Sequence, residues 1–199
     1  MPGPRSRRAL SAAAAAALVL AACAGGQRAG LSGHAMPAMG WDHRPEAAEW
    51  TQATMQALAT HGAALPRTEP ADIAAFCPGY ARAGEAERRA FWAGLFSALA
   101  RYESTWNPAA VGGGGRWFGL VQIAPATARG HGCRATDAAA LTDGAANLSC
   151  AVRIAARTVP RDGVVAAGGR GVAADWGPLR NAARRADIAG WTAAQDYCR

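Results

Sequence analysis

Between residues 85 and 103, large apolar side chains fall at Trp92, Leu95, Phe96 and Leu99, the three-and-four spacing that turns one face of a helix toward a core. Glu85 and Glu87 stand in the first turn of such a helix, where its dipole favours anions, and Asn107-Pro108 stops it. The pattern predicts a helix from about Glu85 to Tyr102 or Glu103. An Ala-rich stretch from Glu46 to about His61, carrying Trp50, Met55 and Leu58, predicts another, stopped by Gly62 and Pro66. Residues 71–77 suit a short helix ended by Pro78-Gly79. From 109 to 124 the rhythm breaks. A glycine run (112–115) and then Trp117-Phe118-Gly119-Leu120-Val121-Gln122-Ile123 read as a small β-hairpin or an irregular loop. A brief helix is expected from about Pro125. Asp143 is placed to cap a further one through about Thr158, with Leu148, Val152, Ile154 and Ala155 on it. The Gly- and Ala-rich residues 160–174 are expected to loop over the surface, and 178–194 to form a last helix. No internal repeat is visible, and the fold class expected is mainly α.

The N-terminus follows a different pattern. Arg5, Arg7 and Arg8 precede an apolar stretch, Ala9 to Leu20, too short for a membrane span of about 20 residues. It ends in Leu20-Ala21-Ala22-Cys23, which resembles a bacterial lipobox. Residues 1–22 are therefore expected to be a lipoprotein signal peptide, with Cys23 accepting diacylglycerol and residues 23–45 forming a flexible, lipid-anchored tether. A plain signal peptide with Cys23 incidental is the alternative. Ala24 offers no aspartate signal for inner-membrane retention, so a Gram-negative host implies an outer-membrane anchor facing the periplasm. The folded domain is expected to cover 46–199.

Composition adds two constraints. Half of the chain is apolar and 18% charged, the profile of a globular protein. The formal charge of +7 falls to +4 once three leader arginines are removed, a mild excess that suits an anionic cell wall but also many soluble proteins. No basic run is interleaved with aromatics, so no nucleic-acid partner is expected. With Cys23 set aside, four cysteines remain, and these allow three connectivities. In an exported chain Cys133–Cys150, closing a short loop, and Cys77–Cys198, pinning the C-terminus, are the favoured disulfides. A zinc site of His131, Cys133 and Cys150 is the rival, and lacks a CxxC pair and a fourth ligand. No metal or cofactor is expected, and the domain is expected to be a monomer.

Glu103 is the candidate for chemistry. On a helix it shares a face with Trp92, Phe96 and Leu99, which lie eleven, seven and four positions before it. A carboxyl at the end of an apolar stripe is desolvated, and the negative end of the helix dipole also disfavours its anion. Both effects supply a protonated acid near neutral pH, as glycosidic general acids require. From spacing alone, an acid at a wet helix end paired with Arg101 or Arg116 stands ahead of that reading.

The order changes on a resemblance. Glu103-Ser104-Thr105-Trp106-Asn107-Pro108, followed in register by Gly119-Leu120-Val121-Gln122-Ile123-Ala124-Pro125-Ala126-Thr127-Ala128, resembles the lytic transglycosylases of the soluble type. Their hallmark is Glu-Ser-x-x-Asn-Pro, a Gly-containing loop, then Gly-Leu-Met-Gln-Ile-x-Pro-x-Thr-Ala. Ala146-Asn147-Leu148 resembles their Ala-Glu-Asn-Ile segment more weakly. The resemblance implies a lysozyme-like α domain that binds peptidoglycan glycan strands, with Glu103 as sole acid/base and Ser104 as its hydrogen-bonding neighbour. It implies that Gln122 contacts substrate or orients Glu103, and that Asn147 bonds to the sugar or to the catalytic region. Trp106, Trp117 and Phe118 are candidates for stacking on sugar faces, with core packing the alternative for each.

Three departures bear on function. Val121 replaces the usual Met, Ala146 stands where Glu is common, and no Ala-Tyr-Asn-x-Gly motif appears in the last third. Asp175-Trp176-Gly177-Pro178 occupies roughly that stretch, with Asp175 either a second functional carboxylate or a cap of the last helix. The expected activity is cleavage of the MurNAc–GlcNAc β-1,4 bond with a 1,6-anhydro-MurNAc product. A hydrolytic muramidase and a non-catalytic wall-binding lipoprotein are the alternatives.

Overall fold

In the computed structural model, Met1, Gly3 and residues 36–199 are described, so the leader, Cys23 and most of the expected tether lie outside the described residues. Seven helices follow in order: α1 (Ala47–Ala59), α2 (Ala64–Arg67), α3 (Glu85–Ser104), α4 (Pro125–Gly130), α5 (Ala138–Leu141), α6 (Gly144–Asp162) and α7 (Ala182–Ala193). Between α3 and α4 the strands β1 (Val111–Gly112) and β2 (Trp117–Phe118) pair antiparallel as a small hairpin. The mainly α expectation holds, and the irregular segment after the long helix is the hairpin.

Helix α3 is the axis around which the rest packs, and residues 90–100 are all buried. The expected amphipathic stripe is thus one side of a helix enclosed on every face, because α1, α2 and α7 all rest on it. Enclosure demands that its polar and small residues be accommodated. Buried Ser97 donates to Gly94 O at 2.8 Å and accepts from Gly40 N at 2.9 Å. Gly94 makes room for Tyr197, whose hydroxyl would lie 2.2 Å from any Cβ there. At its start the Glu87 carboxylate accepts from Gly84 N at 2.8 Å. At its end Thr105 and Trp106 both take left-handed backbone, φ 52° and 56°, and throw the chain off the axis. The Trp106 indole secures that turn by donating to Ser97 O at 2.8 Å.

Two boundaries need correction. The last residues assigned to the tether belong to the packed domain: Met39 and Trp41 are buried, and the Trp41 indole donates to Thr51 Oγ1 at 2.9 Å. Residues 163–174 are not a surface loop either. Val164, Val165, Val172 and Ala173 are buried, and the segment runs as 3-10 turns. The Asp72 carboxylate accepts from Val165 N, Ala166 N and Ala167 N at 2.6–2.9 Å, satisfying the backbone that burial would otherwise strand. Asp143 caps α6 by accepting from Ala146 N at 2.8 Å, as the sequence predicts. The last helix starts later than predicted, because Asn181, not Asp175, caps it.

Both expected disulfides, Cys77–Cys198 and Cys133–Cys150, are present. The first holds the C-terminal turn beside the start of α3. The second uses both thiols that the zinc reading needed, which removes that rival.

Candidate active site

Glu103 occupies the last turn of α3, above fully buried Trp92, Phe96 and Leu99. Its carboxyl is half-buried, and that burial raises its pKa to about 7 against the opposing pull of the Arg184 cation. Among the described residues it makes no ion pair. Arg101, one of the suggested partners, pairs with Asp187 at 3.3 Å, and Arg116 lies over the Trp117 ring at 4.9 Å. The wet, salt-bridged reading of this glutamate is therefore overturned by where its neighbours point.

The carboxyl opens onto a cleft of about 570 Å³. One wall is the end of α3 with the hairpin, contributing Trp117 and Gln122. The other is the segment 175–184, contributing Asp175, Trp176, Arg180 and Arg184. A second hollow of about 620 Å³ lies over the Cys133–Cys150 bridge, lined by His61, Arg134, Ser149 and Arg153 among others, and no carboxylate faces it. Of these two hollows, only the Glu103 cleft holds carboxylates.

The first wall is held by side chains that bond to backbone. Ser104 Oγ donates to Leu120 O at 2.8 Å, tying the end of α3 to the loop after the hairpin. Asn147 is fully buried in α6; it accepts from Val121 N and donates to Phe118 O and Leu141 O, each at 3.0 Å. It bonds to the catalytic region and does not reach the cleft. Gly119 is required beside it: its φ is +83°, and a Cβ there would meet Leu141 O at 2.1 Å and the Asn147 amide at 2.3 Å. Gln122, left-handed at φ 50°, donates to Gly119 O and Ala110 O at 2.9 and 3.1 Å. It lines the cleft while bracing the turn. Of the three aromatic candidates only Trp117 faces the cleft, and it is 42% exposed. Phe118 is half-buried against the core, and Trp106 packs on His43 at 4.7 Å, outside the cleft lining.

The second wall carries what sequence reasoning missed. The buried Trp176 indole donates to Val121 O at 2.7 Å, and its ring meets Phe96 edge-on at 5.9 Å. Val121 is therefore held by Asn147 through its N–H and by Trp176 through its carbonyl, one residue from each side of the cleft. Asp175 is on the wall, and desolvation raises its carboxyl pKa, opposed by His131, Arg161 and Arg180. Tyr102 lines the cleft as well, donating to Asp187 at 2.6 Å. No motif marks Arg180 or Arg184. Trp176 stood in the stretch flagged as replacing the absent tyrosine motif, and that departure was the signal for it.

A helical domain with a half-buried acid beside a hairpin, facing a cleft, is the arrangement of a lysozyme-like fold. Comparison gives the same answer. Residues 81–162 match the family model described as Transglycosylase SLT domain. The structure is similar to Bd0314 DslA: its wild-type form 2 superposes with a TM-score of 0.74 at 29% identity, over 82% of this chain and 99% of that one. A glutamate-to-glutamine mutant of DslA gives 0.73 at 30% identity, covering 80% of this chain and 96% of that one. A search of curated proteins finds no match. The chain belongs to the SLT transglycosylase family, whose substrate is peptidoglycan.

Proposed function

We propose that this protein is a lytic transglycosylase that cleaves the MurNAc–GlcNAc β-1,4 bond and leaves 1,6-anhydro-MurNAc ends. The observation that carries the reading is Glu103, with a pKa raised to about 7 in the cleft of a chain of this family. As an acid it protonates the glycosidic oxygen, and GlcNAc departs. The resulting carboxylate takes the proton from the MurNAc C6 hydroxyl as that oxygen bonds to C1. One carboxyl serves both steps because the sugar brings its own nucleophile, unlike the two-carboxyl hydrolases. Ser104, Gln122 and Asn147 fix the loop that frames the acid, and Trp117 offers an exposed ring for a sugar face.

A hydrolytic muramidase is the second reading, favoured by Asp175 in the same cleft. Mass analysis of digested sacculi separates the two: anhydro-muropeptides support transglycosylation, reducing ends without them support hydrolysis. Glu103→Gln abolishes either. Binding to sacculi without any digestion by the unaltered chain overturns both and leaves a wall-binding protein. Since the acid must be protonated, turnover is expected to fall as pH rises through about 7. A pH–rate profile flat from 5 to 9 contradicts the assignment.

We also propose that the mature protein is a monomer, lipidated at Cys23 and held on the outer membrane facing the periplasm. The lipobox-like Leu20-Ala21-Ala22-Cys23 and the two disulfides, which need an oxidising compartment, support this. Membrane attachment that survives Cys23→Ala argues against it.

A further inference from the structure

The cleft holds two arginines, and only one of them is occupied. Arg180 is committed to its own wall: its guanidinium donates to Ala173 O at 2.6 Å and to Ala174 O. Arg184, in the first turn of α7, lines the cleft with no hydrogen bond or ion pair from its guanidinium among the described residues. It is nevertheless positioned, lying over the Tyr102 ring at 5.6 Å. That ring is fixed in turn by the 2.6 Å bond from Tyr102 to Asp187, which also pairs with Arg101. A planar fork of donors is thus set on an aromatic platform beside the acid, with its hydrogen-bonding edge unused.

The placement has a cost for chemistry. Arg184 is the cation that works against the raised pKa of Glu103, so it does not assist the acid. Asp175, the other carboxylate of the cleft, sits beside Arg180, and its charge is opposed by Arg180, Arg161 and His131 without Arg184. What an unused guanidinium in the same cleft as the acid offers is recognition of an anion carried by the substrate.

We propose that Arg184 is a specificity-determining residue that binds a carboxylate substituent of the glycan strand, and so selects muramic-acid-bearing chains over neutral ones. The inference rests on the glycan-cleaving reading of the same cleft. Peptidoglycan offers that carboxylate from two sources. One is the stem peptide. The other is the muramic lactyl group, which is free only where the peptide has been removed. Both present two coplanar oxygens that a guanidinium meets with paired N–H donors. A chitin oligosaccharide has the same β-1,4 backbone and no carboxylate.

The test measures binding to the full folded domain in a Glu103→Gln background, so that nothing is cut. Three probes are used: peptide-bearing glycan fragments, the same fragments stripped by an amidase, and a chitin oligosaccharide. Arg184→Gln is expected to weaken carboxylate-bearing glycan at least about tenfold more than it weakens chitin, and Arg184→Lys is expected to recover part of that difference. Loss on peptide-bearing fragments alone identifies the stem as the source; loss on the stripped fragments identifies the lactyl group. Arg153→Gln, in the hollow over Cys133–Cys150, makes the same charge change away from the cleft and is expected to preserve the ratio. An equal loss on all three probes with Arg184→Gln overturns the proposal, as does an equal loss of ratio with Arg153→Gln, which reports general attraction to an anionic polymer. If no probe binds the parent, the glycan reading itself fails; if all bind and the ratio does not change, only the role of Arg184 fails. A thermal melt of each variant confirms folding, expected because Arg184 is exposed.

Discussion

The two walls of the cleft are built from different bonds. On the hairpin wall, neutral side chains clamp the backbone: Ser104 on Leu120, Asn147 on Phe118 and Val121, Gln122 on Gly119 and Ala110. Behind the opposite wall, carboxylates hold the segment that leads into it: Asp72 takes three amides at 165–167, and Asp162 takes Gly171 N at 2.8 Å. The Trp176–Val121 bond joins them. The first kind of clamp carries no charge, while the second accepts through carboxylates. The wall that carries Glu103 is therefore the one held without charged side chains.

The largest effect expected is from Asn147→Ala. It strands Val121 N and Leu141 O in a buried site and leaves Phe118 O with only its bond from Ile123 N, at a cost of about 3 kcal/mol, and turnover should fall with it. Chemical denaturation and product formation measure both; a loss under 1 kcal/mol would mean that the hairpin wall does not depend on its clamp. Next is Glu103→Gln, which should stabilise the fold by about 2 kcal/mol at pH 8. Its raised pKa means that the unfolded chain releases this proton first, so wild-type stability falls as pH rises from about 4.5 to 7 and is level above. At pH 4 the variant and wild type should melt together. Asp72→Ala should cost about 1–2 kcal/mol, less than Asn147→Ala because one of the three amides it frees, that of Ala167, is exposed to water. Trp176→Phe keeps the ring and loses one bond, about 1 kcal/mol, with a larger effect on kcat than on KM if it aligns the two walls. Smallest is an acid effect. Asp162, whose pKa is lowered to about 2 first by its Arg161 hydrogen bond and then by Gly171 N, contributes stability that is full above about pH 4 and lost as pH falls through 2. Amide exchange in 163–174 should quicken there before exchange in 118–123.

The same contrast explains what could be read from the chain. The hairpin wall is written in contiguous residues whose order matters, from Glu103 through Ala128, and the Glu103 register with its flanking helix is visible there. The segment that leads into the opposite wall, residues 163–174, is rich in glycine, alanine and valine with no period, and its backbone amides are satisfied by Asp72, ninety-odd residues away. Nothing local announces that. The enclosure of α3 is hidden for a similar reason: apart from Phe91, its remaining buried positions are mostly alanines and Gly94, which hydrophobic spacing does not register. Asn147 showed a weak resemblance but not its role, which depends on the exact place where a loop crosses α6. Arg184 had no signal at all, being one arginine among 21 basic residues.

Trp41 changes how far the domain can travel. With the chain locked onto the core from Met39 onward, only residues 24–38 separate it from the proposed lipid at Cys23, and however they are arranged they span at most about 55 Å. With lipid at Cys23 as proposed, such a leash would make the anchor a ruler. Glycan layers beyond its reach would be out of range whatever their chemistry, and inserting residues before Met39 would move the boundary of digestion outward without altering the cleft.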